Sequence, residues 1–209
     1  MTADHVSTPD RRAVAEPDVD VVIVGAGFAG IGMATKLARR GRESFLVLER
    51  ADAVGGTWRD NTYPGIACDI PAHLYSFSFR PPADWSSVYP SGGEIREYLE
   101  RTLLDEGFDD RLRLGCELLD ATWNPVAARW TITTSDGEII CRALVLAVGR
   151  LSEPRVPDIE GLDSFTGEVV HTAAWRDDLP LDGARIGLVG TGASAVQIAP
   201  HLAENAEEL

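Results

Sequence analysis

The chain has 209 residues, 44% of them hydrophobic, which is enough for one large domain, or one domain and part of another, around a real core. Its 33 acidic against 19 basic side chains leave a net charge of −14, which argues against nucleic acid or an anionic membrane surface as a partner. The three cysteines, Cys68, Cys116 and Cys141, form no CxxC, and the four histidines form no HxxxH pair, so the reading is free thiols in a reducing cytoplasm and no metal site.

Residues 1–18 mix charge with Pro9 and Pro17 and read as a flexible tail; they lack the apolar stretch of a secretory signal. No apolar run in the chain approaches the roughly 20 residues that a membrane span needs. Residues 20–24 are continuous, apolar and β-branched, as in a buried parallel strand. They lead into Gly25-Ala26-Gly27-Phe28-Ala29-Gly30. A helix is expected from about Phe28 to Arg40, with Ile31, Ala34, Leu37 and Ala38 on one face and Gly41 as its stop. Ser44–Glu49 is the next strand, closing a strand–helix–strand unit.

That unit has the chemistry of a dinucleotide site. Gly25 permits the tight turn, Gly27 lets the backbone approach a pyrophosphate, and Gly30 allows close packing of helix on strand. The helix start presents free N–H groups and partial positive charge to phosphates. Glu49, at the end of the second strand, is placed to accept hydrogen bonds from ribose hydroxyls and to repel a 2′-phosphate, which favours FAD or NAD over NADP at this site.

Residues 51–91 carry Pro64, Pro71, Pro81, Pro82 and Pro90 and read as loop, unusually long unless functional. Within them stand Gly55-Gly56-Thr57-Trp58, Tyr63-Pro64-Gly65 and Cys68-Asp69. Small residues there permit backbone contact with a cofactor, and Trp58 and Tyr63 are read as a flat apolar wall for a ring system. A helix is expected from about Gly93 to Glu106, then strands at Leu112–Leu114, Leu118–Trp123, Trp130–Thr134 and Ile139–Val148, with a hairpin turn at Ser135-Asp136-Gly137. Residues 150–183 are a linker with Pro154, Pro157 and Pro180. A second unit opens near Arg185, where Ile186-Gly187-Leu188-Val189 reads as a strand before Gly190-Thr191-Gly192-Ala193-Ser194-Ala195. Its helix runs from about Ala193 to Ala203. Ala195 stands where the third glycine would be, a replacement this motif permits.

The segment GGTWRDNTYPGIACD resembles the long fingerprint of Baeyer–Villiger monooxygenases, in which a Gly-x-Trp is followed by an aromatic residue, Pro, Gly and then Asp. Their second fingerprint is matched at Phe165, Gly167, His171 and Trp175, and departs at Arg176, where Pro or Asp is expected. Leu144–Gly149 resembles the strand and glycine that precede the domain crossover in flavin-containing monooxygenases. The resemblance covers nearly everything from Val19 onward. It implies FAD at the first glycine site and NADPH at the second, where Gly190, Gly192, Ser194 and Ala195 would hold the pyrophosphate with Gln197 nearby. It also implies a reaction of a small-molecule ketone with O2, through a C4a-peroxyflavin, to an ester or lactone. Asp69 would be the catalytic carboxylate, orienting an arginine that lies outside this chain, and His171 would have a positioning role between the two nucleotide domains.

The expected fold is α/β, of the two-dinucleotide-binding (Rossmann-like) flavoprotein type: the first half of an FAD domain (19–150), a linker (151–183) and the start of an NADPH domain (184–209) that stops before its second strand. On this reading the chain is the front part of a larger enzyme. The expected FAD-contact set is Gly25, Ala26, Gly27, Phe28, Ala29, Gly30, Glu49, Arg50, Gly56, Thr57, Trp58, Asp69, Tyr75 and Leu118. Two rivals stand beside it: a flavin monooxygenase that oxidises nitrogen or sulfur, and a non-catalytic FAD-binding remnant. A disulfide reductase is disfavoured by the lack of CxxC.

Overall fold

Val22 and Ile23 lie in β1 (Val19–Val24) with no solvent exposure, because strands flank β1 on both sides and side chains cover both faces. The computed structural model that shows this describes residues 16–81 and 84–209. One neighbour of β1 is β2 (Phe45–Leu48), which pairs in parallel with β3 (Leu112–Arg113). The other is β6 (Gly137–Leu146), also parallel to β1. Beyond it, β5 (Arg129–Thr134) and β4 (Leu118–Asn124) continue in antiparallel fashion, giving a six-stranded sheet of order β3-β2-β1-β6-β5-β4.

Side chains alternate across this sheet, as the two-residue period of a strand requires. Ile23, Phe45 and Val47 face the helical side, where α1 (Phe28–Ala38) contributes Ile31 and Ala34 and α3 (Gly92–Glu106) contributes Leu99 and Leu103. Val22, Val24, Leu46 and Leu48 face the other side and pack with Ile132, Ile139 and Cys141. The β5–β6 connection is the tight hairpin expected at Ser135-Asp136-Gly137, with Thr134 paired to Gly137. Helix α3 starts on a full capping box, in which Ser91 accepts from the Glu94 N–H and Glu94 accepts from the Ser91 N–H, and it ends on Gly107 at φ +67°.

Several boundaries move. Helix α1 ends at Ala38 rather than Arg40, and β6 ends at Leu146 rather than Val148. A short helix, α2 (Thr57–Asp60), stands where only loop was expected. Most of the expected tail, residues 1–15, lies outside the described residues; Asp18 is no tail residue, since its backbone and carboxylate each bond Ile140 at 2.8 Å.

The second unit also departs from expectation. Residues 186–189 form no strand ladder. The pairing is confined to their start: Ile186 N–H donates to Glu208 O (2.8 Å) and Glu207 N–H to Ala184 O (2.9 Å), with Arg185 and Glu208 bridged in parallel. After α4 (Ala193–Asn205) the chain returns beside Arg185 through a single parallel bridge, not a strand. Among the described residues no helix is long and apolar enough to cross a membrane.

Candidate functional site

A cleft of about 380 Å³ opens where β1, β2 and β6 end and α1 begins. Glycine backbone forms its floor. A Cβ on Gly30 would sit 1.8 Å from Gly25 O, and one on Gly25 (φ +102°) would sit 2.5 Å from Ala147 O, so these positions exclude any side chain. A Cβ on Gly56 (φ +53°) would lie 3.2 Å from Gly27 Cα, which shows how closely the two glycine loops approach. Gly27, Phe28 and Ala29 line the cleft at the start of α1, which has neither a capping side chain nor an acid in its first turn. The contrast with the capped α3 is physical: the first N–H groups of a helix need acceptors, and here the protein supplies none from a side chain. A bare cradle of amides is what a pyrophosphate fits.

Glu49 is 6% exposed and already engaged. Its Oε2 accepts from Ala26 N–H (2.9 Å) and its Oε1 from Ala51 N–H (3.0 Å), with Arg59 Nη1 at 3.0 Å. Its first task is therefore to hold the glycine loop, from a place on the lining of the cleft. Ala26 and Gly30, both expected to touch the cofactor, lie behind the lining: Ala26 is 1% exposed and gives its N–H to Glu49. Arg50 lines the cleft, and its guanidinium reaches Glu153 (2.5 Å) and Ser152 O (3.3 Å) in the linker.

The aromatic wall is differently composed from the expectation. Trp58 Nε1 donates to Tyr75 Oη at 3.1 Å, and Phe28 meets Tyr75 edge-on with ring centroids 4.9 Å apart. All three rings line the cleft, as do Thr57, Gly56 and Leu118. Burial pushes the Tyr75 phenol up, opposed by the Trp58 N–H, so Tyr75 stays protonated at neutral pH. The charge of Asp69 adds to that rise; its own carboxylate is exposed and lies outside the lining of the cleft.

Tyr63 does not belong to that wall. It is 3% exposed and packs with Ile198 and Leu202 of α4. Its hydroxyl lies 2.9 Å from Gln197 Oε1 and 3.2 Å from Ser194 Oγ. Gln197, expected beside a pyrophosphate, spends its amide on Ala67: Nε2 donates to Ala67 O at 2.8 Å. Gly65 (φ +81°) allows this contact, since a Cβ there would lie 2.7 Å from Gln197 O. The second glycine turn has Gly190 at φ +135°, with Ala195 Cβ 3.8 Å from the Cβ position it lacks, and Gly192 as the N-cap of α4, again with no capping side chain and no acid in the first turn. Tyr63-Pro64-Gly65 thus joins the first unit to the second.

A sequence profile described as pyridine nucleotide-disulphide oxidoreductase matches residues 22–209. The chain belongs to this family. Among its relatives is a Baeyer-Villiger monooxygenase of Streptomyces coelicolor, 47% identical over 191 residues, which are 91% of this chain and 37% of that protein. Cyclohexanone monooxygenase with ε-caprolactone bound superposes with a TM-score of 0.82 at 37% identity, covering 90% of this chain and 38% of that one. OTEMO in complex with FAD and NADP does so with a TM-score of 0.85 at 33% identity, covering 93% and 39%. The resemblance drawn from the two fingerprints is thereby borne out, as is the two-dinucleotide-binding α/β fold. The chain spans a little over a third of the length of these relatives.

The disulphide in the pyridine nucleotide-disulphide family name has no counterpart here. Cys68, Cys116 and Cys141 are all free and buried, and burial pushes the Cys68 and Cys141 thiols up, away from a reactive thiolate. His171 caps a 3-10 turn at Thr172–Ala174, its Nδ1 accepting from Ala173 N–H at 3.0 Å, and neighbouring Trp175 packs against the Tyr63–α4 cluster. Sequence reasoning missed Arg59, the partner of Glu49. Its only local signal was a lone basic residue just after the Gly-Gly-Thr-Trp turn.

Proposed function

We propose that this protein serves a flavoprotein monooxygenase of the Baeyer–Villiger type, binding FAD in the cleft at α1 and NADPH at the start of α4, and inserting one oxygen atom of O2 beside a ketone carbonyl to give an ester or lactone. The observation that carries this reading is the pair of uncapped, glycine-opened helices, one at a bare backbone cradle and the other joined to it through the Tyr63 segment. FAD, when bound, supplies the chemistry that takes hydride from the nicotinamide and activates O2.

The residues of the chain do the rest. The N–H groups of Gly27, Phe28 and Ala29 hold the pyrophosphate of FAD, with Gly56 making room. Glu49, fixed by Ala26 and Arg59, turns its spare lone pairs to the ribose. Trp58, Tyr75 and Phe28 wall off water from one side of the cleft, and Leu118 lies on its lining. Asp69, exposed outside the lining of the cleft, is a positioning carboxylate for a cation from the part of the relatives' length that this chain does not match. Gly190, Gly192 and Ser194 receive the second pyrophosphate, and His171 shapes the linker between the sites. Three unpaired thiols suit a reducing cytoplasm.

Two measurements test the reading. Flavin absorbance that stays with the protein through gel filtration tests the first site. NADPH-dependent conversion of a cyclic ketone to a lactone, followed by gas chromatography, tests the reaction. Flavin retention with oxygenation of amines or sulfides and none of ketones would move the protein to the nitrogen- and sulfur-oxidising class.

A further inference from the structure

Tyr63 bridges two segments more than a hundred residues apart in sequence, and its hydrogen-bond direction can be assigned. Gln197 Nε2 donates to Ala67 O at 2.8 Å, which fixes the amide so that Oε1 faces Tyr63. Oε1 carries no proton, so the single phenolic proton of Tyr63 goes to it, at 2.9 Å. The Tyr63 oxygen keeps its lone pairs toward Ser194 Oγ at 3.2 Å. Both partners lie in the first turns of α4, one and four residues past Ala193.

The setting makes this contact specific. The Tyr63 ring is buried against Ile198 and Leu202, so the hydroxyl cannot swing to water. Gly65 lets the backbone of the first unit come against Gln197 and His201. The Tyr63 ring takes no part in lining the flavin cleft, although it follows Trp58 by only five residues. We infer that Tyr63 is a positioning residue for the second dinucleotide site: through Gln197 and Ser194 it holds the start of α4 in place against the loop that carries Trp58, and so ties the geometry of the second phosphate site to that of the first. This rests on the reading of α4 as the NADPH site.

Tyr63→Phe removes the hydroxyl and keeps the buried ring. In the FAD-loaded protein, titration calorimetry with NADP+ is expected to show affinity reduced about three- to tenfold, the range of one net hydrogen bond, with FAD retention unchanged. Gln197→Met should weaken NADP+ at least as much, since it also removes the bond to Ala67 O, and the double variant should lose little more than Gln197→Met alone, because the Tyr63 contact is already gone there. Amide hydrogen exchange should quicken over residues 193–197 and stay constant over 28–38. A merely structural role predicts instead that FAD and NADP+ weaken together, or that the two substitutions add in full; either result, or wild-type NADP+ affinity in Tyr63→Phe, overturns the inference. Wild-type protein that holds FAD and binds no NADP+ overturns the reading of the second site instead. In that case unchanged exchange over 193–197 in Tyr63→Phe would overturn the contact as well, and faster exchange there would uphold its hold on α4.

Discussion

Arg59 Nη1 lies 3.0 Å from Glu49 Oε1 and 2.5 Å from Ala53 O, so one guanidinium nitrogen ties the end of β2 to the loop behind it. The pair is mostly buried, with side-chain exposures of 12% for Arg59 and 6% for Glu49. Removing one partner of such a pair leaves the other charge without compensation. Arg59→Leu is therefore expected to destabilise the protein by about 3 kcal/mol and to weaken FAD retention, because Glu49 also holds the Ala26 N–H of the glycine loop. Urea unfolding with and without FAD measures both effects. An unchanged midpoint would mean that Glu49 is satisfied by its two backbone N–H donors alone.

Two glycines of the first unit should behave differently on substitution. Gly30→Ala puts a Cβ 1.8 Å from Gly25 O, a backbone atom that cannot move without opening the glycine turn. The expected cost is about 2–3 kcal/mol, with loss of flavin. Gly41 has φ +65° and nothing within 4 Å of its Cβ position. Gly41→Ala should cost only about 1 kcal/mol, the price of a left-handed alanine, with flavin retained. The comparison separates a glycine needed for approach from one needed for conformation.

Glu94 gives a pH dependence whose sign can be worked out. Its carboxylate accepts from the Ser86 and Ser91 N–H groups, each at 2.9 Å, and these bonds lower its pKa from the ordinary 4.5 to about 2. A carboxyl depressed in the folded state stabilises the protein above its unfolded pKa and loses that contribution as pH falls through the folded one. Stability should thus decline between about pH 4.5 and pH 2. The group is partly exposed, so the contribution is on the order of 1 kcal/mol or less after solvent screening. Glu94→Gln should flatten this part of the thermal stability profile; an identical acid limb in both proteins would assign it to other carboxylates.

The sequence made some of this legible and not the rest, for identifiable reasons. β1, α1, β2 and α3 follow from local signals: a β-branched run, a 3.6-residue apolar period and a glycine stop. The first glycine cradle was equally clear, because its requirements are local to Gly25–Gly30. Tyr63 was misplaced because its partners are Ser194 and Gln197, and a hydrogen bond across that distance leaves no trace in a local pattern. Its aromatic character fits a flavin wall and a domain contact equally well. Ile186–Val189 reads as a strand by composition, yet a strand needs a partner ladder, and here pairing runs from Ala184 and stops at Ile186. The fingerprints supplied the family where local chemistry could not.

Asp69 separates binding from chemistry. Its carboxylate is exposed, bonds no other side chain among the described residues, and lies outside the lining of the cleft at α1. Flavin binding should therefore be indifferent to its charge, whereas a positioning role for a cation needs that charge. Asp69→Asn keeps the shape and removes it. The expected outcome in the enzyme is FAD retention equal to wild type and ketone oxygenation reduced by about 100-fold or more, the scale of a lost electrostatic support in the transition state. Stopped-flow reduction by NADPH should be changed far less, since in the proposed reaction hydride transfer comes before the step assigned to Asp69. A variant that oxygenates ketones at the wild-type rate would remove Asp69 from the site and return the fingerprint aspartate to a structural place in its loop.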